Sequence, residues 1–128
     1  MNRSFIKIAA FLGALSVALG AFGAHTLKQY ITPEVLNTYE TAIRYQFFHA
    51  LALLAVGILF KDYPNKWVSY SGKLFIGGII LFSGSLYTLV FFKIASIYQF
   101  NWVGALTPIG GVAFITGWIC LLIGVKKN

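Results

Sequence analysis

The sequence predicts an all-α integral membrane protein: a four-transmembrane-helix bundle with both termini in the cytoplasm. Three observations predict it. Apolar stretches at about 5–24, 42–60, 73–92 and 102–125 fill most of the 128 residues, and each is close to the roughly 20 residues a helix needs to cross bilayer hydrocarbon. Only 10% of residues are charged and 59% are hydrophobic, with a mean hydropathy of +0.79, whereas a soluble domain carries about 25% charged residues. The basic residues sit at the ends of the stretches, the pattern of membrane proteins with a positive inner side. The chain therefore reads as a single membrane domain, 1–128, with loops too short to hold a soluble one. A hydrophobic soluble bundle would need helices with a polar face, and Ile76–Val90 and Val112–Val125 have none.

The first stretch follows Arg3 and Lys7 and closes on Gly20-Ala21-Phe22-Gly23-Ala24 near His25. Its outline also fits a cleavable signal peptide. The run is long enough to span, however, and its small residues extend along it, which favours a retained first helix. After the polar loop Thr26–Thr32, Thr32-Pro33-Glu34 marks a helix start. Thr is the N-cap, Pro takes the first helical position, and the acid lies in the first turn. A helix from Pro33 to Phe60 is roughly 42 Å long at 1.5 Å per residue. That exceeds the hydrocarbon, so its first turns stand in the headgroup region or the helix tilts. The loop Lys61–Gly72, with Asp62 and Pro64, leads into the third span. Thr107-Pro108 then either starts the last helix or kinks one begun near Trp102.

With four spans, the termini and the middle loop share one side. That side carries Arg3, Lys7, Lys61, Lys66, Lys73, Lys126 and Lys127, against Lys28, Arg44 and Lys93 on the other. The asymmetry predicts cytoplasmic termini. The net charge of +7 is spread over span ends and does not form a nucleic-acid surface. Membrane lipids are the expected partners, with a homo-oligomer or a membrane-protein partner as the further expectation. Tyr63, Trp67 and Tyr70 on one side and Tyr98, Phe100 and Trp102 on the other fit interfacial aromatic belts. The lone Cys120 excludes an internal disulfide and behaves as a small apolar residue. No metal site and no cofactor are expected.

The second helix holds the informative polar residues. At 100° per residue, Ala42, Tyr45, Gln46, His49 and Leu53 share one face, while Glu40 and Arg44 share the opposite one at the spacing of an ion pair. Arg44 lies near the outer end, where it can snorkel to water or headgroups. Gln46 and His49 lie deeper, and unpaired polar groups in lipid are expensive. They should face the interior and bond there, to His25, Tyr87, Ser83, Ser85 or Thr107. His49 reads either as a proton or ligand site or as neutral hydrogen-bonding glue between helices. His25, Tyr45, Gln46 and His49 form the candidate polar cluster. Catalysis is not expected, since no acid within the spans completes a hydrolase arrangement.

Small residues dominate the other helices. Gly13 and Gly20 in the first, Gly77 and Gly84 in the third, and Gly110 and Gly117 in the fourth are the expected packing positions, where backbones approach closely.

Several segments resemble one family along essentially the whole chain. They are Gly20-Ala-Phe-Gly-Ala-His25, Tyr39-x-x-Ala-x-x-Tyr-Gln-x-x-His-Ala-Leu51, Phe82-Ser-Gly-Ser-Leu-Tyr87, and Leu106-Thr-Pro-x-Gly-Gly111 through Gly117-Trp118. The family is the four-span domain of unknown function 423, also called uncharacterised protein family 0382 and related to the animal transmembrane protein 256. The resemblance implies an integral protein of a bacterial cytoplasmic (inner) membrane and implies no reaction. Two functions fit these residues: a non-catalytic structural or accessory membrane protein, and a proton or small-solute transporter using the polar face of the second helix.

Overall fold

A computed structural model of the chain describes residues 1–126; Lys127, one of the basic residues assigned to the side of the termini, lies outside them. The described chain is four long helices joined by short connections: α1 (Arg3–His25), α2 (Pro33–Leu59), α3 (Lys66–Ile94) and α4 (Leu106–Gly124). Brief 3₁₀ turns occupy Leu27–Gln29 and Asn101–Ala105. All four helical segments are long and apolar enough to cross a membrane.

Each start has a local cause. The Asn2 side chain accepts from the Phe5 N–H at 3.1 Å, and Thr32 accepts from Val35 N–H at 3.3 Å with Pro33 in the first position. These side chains satisfy backbone donors that a helix leaves unpaired at its N-terminus. Asn65 caps α3 by accepting from Trp67 and Val68, so α3 begins at Lys66, inside the stretch expected as a loop. The last helix starts at Leu106, which puts Pro108 in its first turn, where a missing N–H leaves no gap in the ladder. α3 ends on Ser96 at φ 57°, and Ile97 N–H returns to the Phe92 carbonyl at 2.8 Å, closing the helix in a left-handed cap.

The helices pack as two hairpins, α1 along α2 and α4 along α3, joined where α2 meets α3. Two long-range bonds bring the chain ends together. Asn2 N–H donates to the Gly57 carbonyl at 2.8 Å, and Asn65 Nδ2 donates to the Gly124 carbonyl at 2.9 Å. The N-terminus, the α2–α3 loop and the end of α4 thus share one end of the bundle, the terminal end. The main core lies toward it, built on Phe5, Leu53, Val56, Val68, Phe75 and Phe114. A smaller cluster around Leu27, Tyr39 and Val90 fills the opposite end. Large apolar side chains such as Phe11, Val17, Ile80, Val112, Ile115 and Leu122 are exposed on the outside. In water that surface would be a liability; in a bilayer it is the solvent-facing side.

The expected packing glycines divide. Gly110 and Gly117 do lie at close helix contacts, against the Phe82 backbone and against Phe75 and Leu74. Gly20 has only Ile43 nearby, at 4.0 Å, and Gly13, Gly77 and Gly84 have nothing within 4 Å of where a Cβ would stand. The contacts fall instead at Gly23, Gly57, Gly72, Gly78 and Gly124. In α1 the buried face runs through Phe5, Ala9, Ser16 and Gly23, and Gly13 lies off it. In α3 the contact glycines Gly72 and Gly78 both precede a π-turn over Ile79–Ser83. A π-turn takes one residue more than an α-turn, so the face read at regular helical spacing through Gly77 and Gly84 is not continuous across it. The turn coincides with the close approach of Gly110 to the Phe82 backbone.

Candidate functional site

The polar residues of α2 enter two separate networks. Gln46 is buried and bridges three helices: its Nε2 donates to the Leu12 carbonyl at 3.1 Å, and its Oε1 accepts from the Tyr87 hydroxyl at 2.7 Å. Tyr87 in turn meets Tyr39 edge to face, with centroids 5.9 Å apart, and the Tyr39 hydroxyl donates to the Leu19 carbonyl. Ser83, released toward α2 at the π-turn, donates to the Ala42 carbonyl at 2.7 Å. Ser85 and Thr107 bond each other across α3 and α4. Every one of these contacts joins two helices directly, which is how polar side chains hold helices together in lipid.

His49 turns toward α4. Its Nδ1 lies 2.8 Å from the Tyr45 carbonyl, and its Nε2 lies 3.1 Å from Trp118 Nε1. A carbonyl only accepts and an indole N–H only donates. Nδ1 therefore carries the hydrogen and donates to Tyr45, while Nε2 accepts from Trp118. Both ring nitrogens of a neutral imidazole are satisfied, and a proton added at Nε2 would face the Trp118 N–H donor to donor. The ring also stacks on Phe114, with centroids 3.6 Å apart and planes 11° apart, and meets Phe75 edge-on at 5.5 Å.

The other candidates lie elsewhere. Tyr45 is exposed, its ring tilted on Phe82 in a lateral groove that also borders His49 and Trp118. His25 ends α1 as an exposed residue whose carbonyl accepts from the Gln29 side chain, and it joins neither network. Glu40 and Arg44 are exposed and line the same outer cleft. Among the described residues no ion pair forms, so the pair expected from their spacing does not close. No group of His, Cys, Asp and Glu able to hold a metal ion occurs among the described residues.

Of the partners expected for Gln46 and His49, only Tyr87 is used. Trp118 and Phe114, which define the His49 site, do not follow from the sequence. Their one signal from spacing is that they lie a single helical turn apart on a helix whose expected packing positions are Gly110 and Gly117.

The Gln46–Tyr87 bond gives a direct prediction. Gln46→Leu should lower stability in detergent by about 1–2 kcal/mol, because it strands a buried hydroxyl. Adding Tyr87→Phe should recover part of that loss, so a double-mutant cycle on the melting curves should show coupling. Strict additivity would mean that the bond contributes nothing.

Comparison with known proteins finds relatives along nearly the whole chain. The family described as "Protein of unknown function (DUF423)" matches residues 19–111. A UPF0382 membrane protein of Staphylococcus saprophyticus is 42% identical over 125 residues, covering 98% of this chain and 98% of that protein. The UPF0382 membrane protein YwdK of Bacillus subtilis is 41% identical over 126 residues, with 98% of each chain covered. The UPF0382 inner membrane protein YgdD of Escherichia coli K12 is 36% identical over 126 residues, covering 98% of this chain and 92% of that one. No solved structure matches.

Proposed function

The chain belongs to the DUF423 family of UPF0382 membrane proteins, and from that premise we propose that it is a non-catalytic structural or accessory protein of the bacterial cytoplasmic membrane. Both termini face the cytoplasm in this reading, supported by the excess of Arg3, Lys7, Lys61, Lys66, Lys73 and Lys126 at the terminal end. The naming of the Escherichia coli relative as an inner membrane protein supports the compartment. A second copy of the chain or another membrane protein is the proposed partner.

One observation carries the functional reading: the buried polar groups of α2 are spent on side chains of neighbouring helices and on the backbone. Gln46 binds Leu12 and Tyr87, and His49 is held between the Tyr45 carbonyl and Trp118. A proton or solute path needs groups that are free to change partners, and a nucleophile or acid–base pair needs reactive groups within reach of each other. Here the four residues of a conceivable path, His25, Tyr45, Gln46 and His49, are divided between an exposed helix end, an outer groove and two closed networks.

The test is flux. Purified protein in liposomes carrying a pH-sensitive dye, exposed to an imposed pH step, should leak protons no faster than protein-free liposomes. Folded His49→Gln should behave the same way. A wild-type flux several-fold above background that His49→Gln abolishes while remaining folded would overturn the structural reading in favour of transport.

A further inference from the structure

The outer surface of the α1–α2 hairpin carries a seam with ordered chemistry. Near the end opposite the termini a cleft is floored by Gly20, Gly23 and Ala24 and bordered by Glu40 and Arg44. A second groove continues from it, lined by Val17, Phe47 and Phe48, and the two share Ile43 and Arg44. The hydroxyls along this seam are already used, Tyr39 on the Leu19 carbonyl and Ser16 on the Leu12 carbonyl. Among the described residues, the Glu40 carboxylate and Arg44 guanidinium are the seam's side-chain polar groups without a protein partner.

Depth sorts these groups. Counting from Leu59 at the terminal end of α2, Arg44 stands roughly 22 Å up the helix and Glu40 roughly 28 Å up. The hydrocarbon is about 30 Å thick. With the hydrocarbon edge set at Leu59, Phe47 and Phe48 lie within the acyl region, Arg44 about 8 Å inside the far boundary with reach toward the headgroups, and Glu40 at the boundary. From the bilayer outward the order is apolar wall, cation, anion. A phospholipid with an ethanolamine headgroup presents the complementary order: acyl chain, phosphate, primary ammonium.

We propose that this seam binds a zwitterionic phospholipid of the phosphatidylethanolamine type. One acyl chain lies along Val17, Phe47 and Phe48, the phosphate is held by Arg44, and the ammonium donates to Glu40. Guanidinium–phosphate and ammonium–carboxylate contacts are charge-assisted and strong in this low-dielectric region. The failure of Glu40 and Arg44 to close on each other, despite their i,i+4 spacing, leaves each charge available to the headgroup. An anionic lipid without the ammonium would engage Arg44 through its phosphate but leave the Glu40 carboxylate unpaired beside it, which selects against it. The proposal does not depend on which side of the membrane the termini face, nor on the structural or accessory role proposed for the chain.

Native mass spectrometry of the full chain, delipidated and offered equal phosphatidylethanolamine, phosphatidylcholine and phosphatidylglycerol in mixed micelles, tests it. The wild type should retain phosphatidylethanolamine at least three-fold over phosphatidylglycerol. It should also prefer it to phosphatidylcholine, whose quaternary ammonium has no N–H to donate. Glu40→Gln should bring the ethanolamine-to-glycerol ratio close to one, and Arg44→Gln should weaken retention of all three. Glycerophosphoethanolamine without acyl chains should not compete. Equal retention of the three lipids by the wild type, or a ratio unmoved by Glu40→Gln, would overturn the proposal. Should Arg44→Gln fail to fold, the Glu40→Gln ratio decides alone, since that side chain is exposed and bonded to nothing.

Discussion

Gly110→Ala is expected to be the most damaging single-methyl change in the chain. A Cβ at this position would run into the backbone nitrogen and Cα of Phe82. No side-chain rotation relieves a clash with backbone, so α4 must move away from α3 and open the contact around the π-turn. Overpacking of this kind costs typically 1–3 kcal/mol and occasionally more, and backbone contact puts it at the upper end, about 3 kcal/mol. In detergent the variant should melt well below the wild type or fail to be recovered folded. Gly77→Ala and Gly84→Ala are the matched controls. Their new methyl groups meet nothing within 4 Å, and alanine is the better helix former, so their melting temperatures should stay at or slightly above the wild-type value. Equal melting of Gly110→Ala and Gly77→Ala would mean that α4 does not press on the α3 backbone at Phe82.

His49→Ala follows in expected effect. It removes a ring stacked between helices, leaves a void beside Phe114 and Phe75, and strips the Trp118 N–H of its acceptor. Large-to-small core changes cost about 2–5 kcal/mol, and a stranded donor adds to that; a loss of about 3 kcal/mol is expected. His49→Phe separates the two contributions. It keeps an aromatic ring for Phe114 and loses only the hydrogen bonds, so it should cost about 1 kcal/mol, the usual size of an interhelical bond in a membrane protein. Melting curves of the three proteins in one detergent give the comparison. A His49→Phe variant as unstable as His49→Ala would mean that the hydrogen bonds, and not the stacked ring, hold α2 to α4.

These sites differ in how much of them can be read from the residues. The four spans follow from composition and length alone, and Thr32-Pro33 marks the start of α2 because capping is a local matter. The split of α2 into an inward face with Gln46 and His49 and an outward face with Glu40 and Arg44 follows from helical period, as does the need for Gln46 to find a buried partner such as Tyr87. The identity of the His49 partner does not follow. Trp118 sits on a helix apolar all round, and nothing local says which side meets α2; the pairing of α4 with α3 decides it. The contact glycines of α3 escape a sequence reading for a related reason. Gly77 and Gly84 share a face only in a regular helix, and nothing in the local sequence marks the π-turn between them. The Glu40–Arg44 pair rests on spacing alone, and spacing permits a contact without requiring the side chains to turn toward each other.

The π-turn at Ile79–Ser83 also changes how lineages of this chain should be compared. One extra residue in a helix that already spans the bilayer adds almost nothing to its reach, so it is a tolerated insertion that a regular helix would not reveal. A relative with a single alignment gap between Gly78 and Gly84 would keep the span with a regular α-turn in place of the π-turn, and every side chain from Gly84 onward would keep its face. Ser85 and Tyr87 would then still point toward Thr107 and Gln46. In this chain a one-residue gap at that point therefore marks the loss of the π-turn rather than a change of partners, and residues beyond it should be aligned by face.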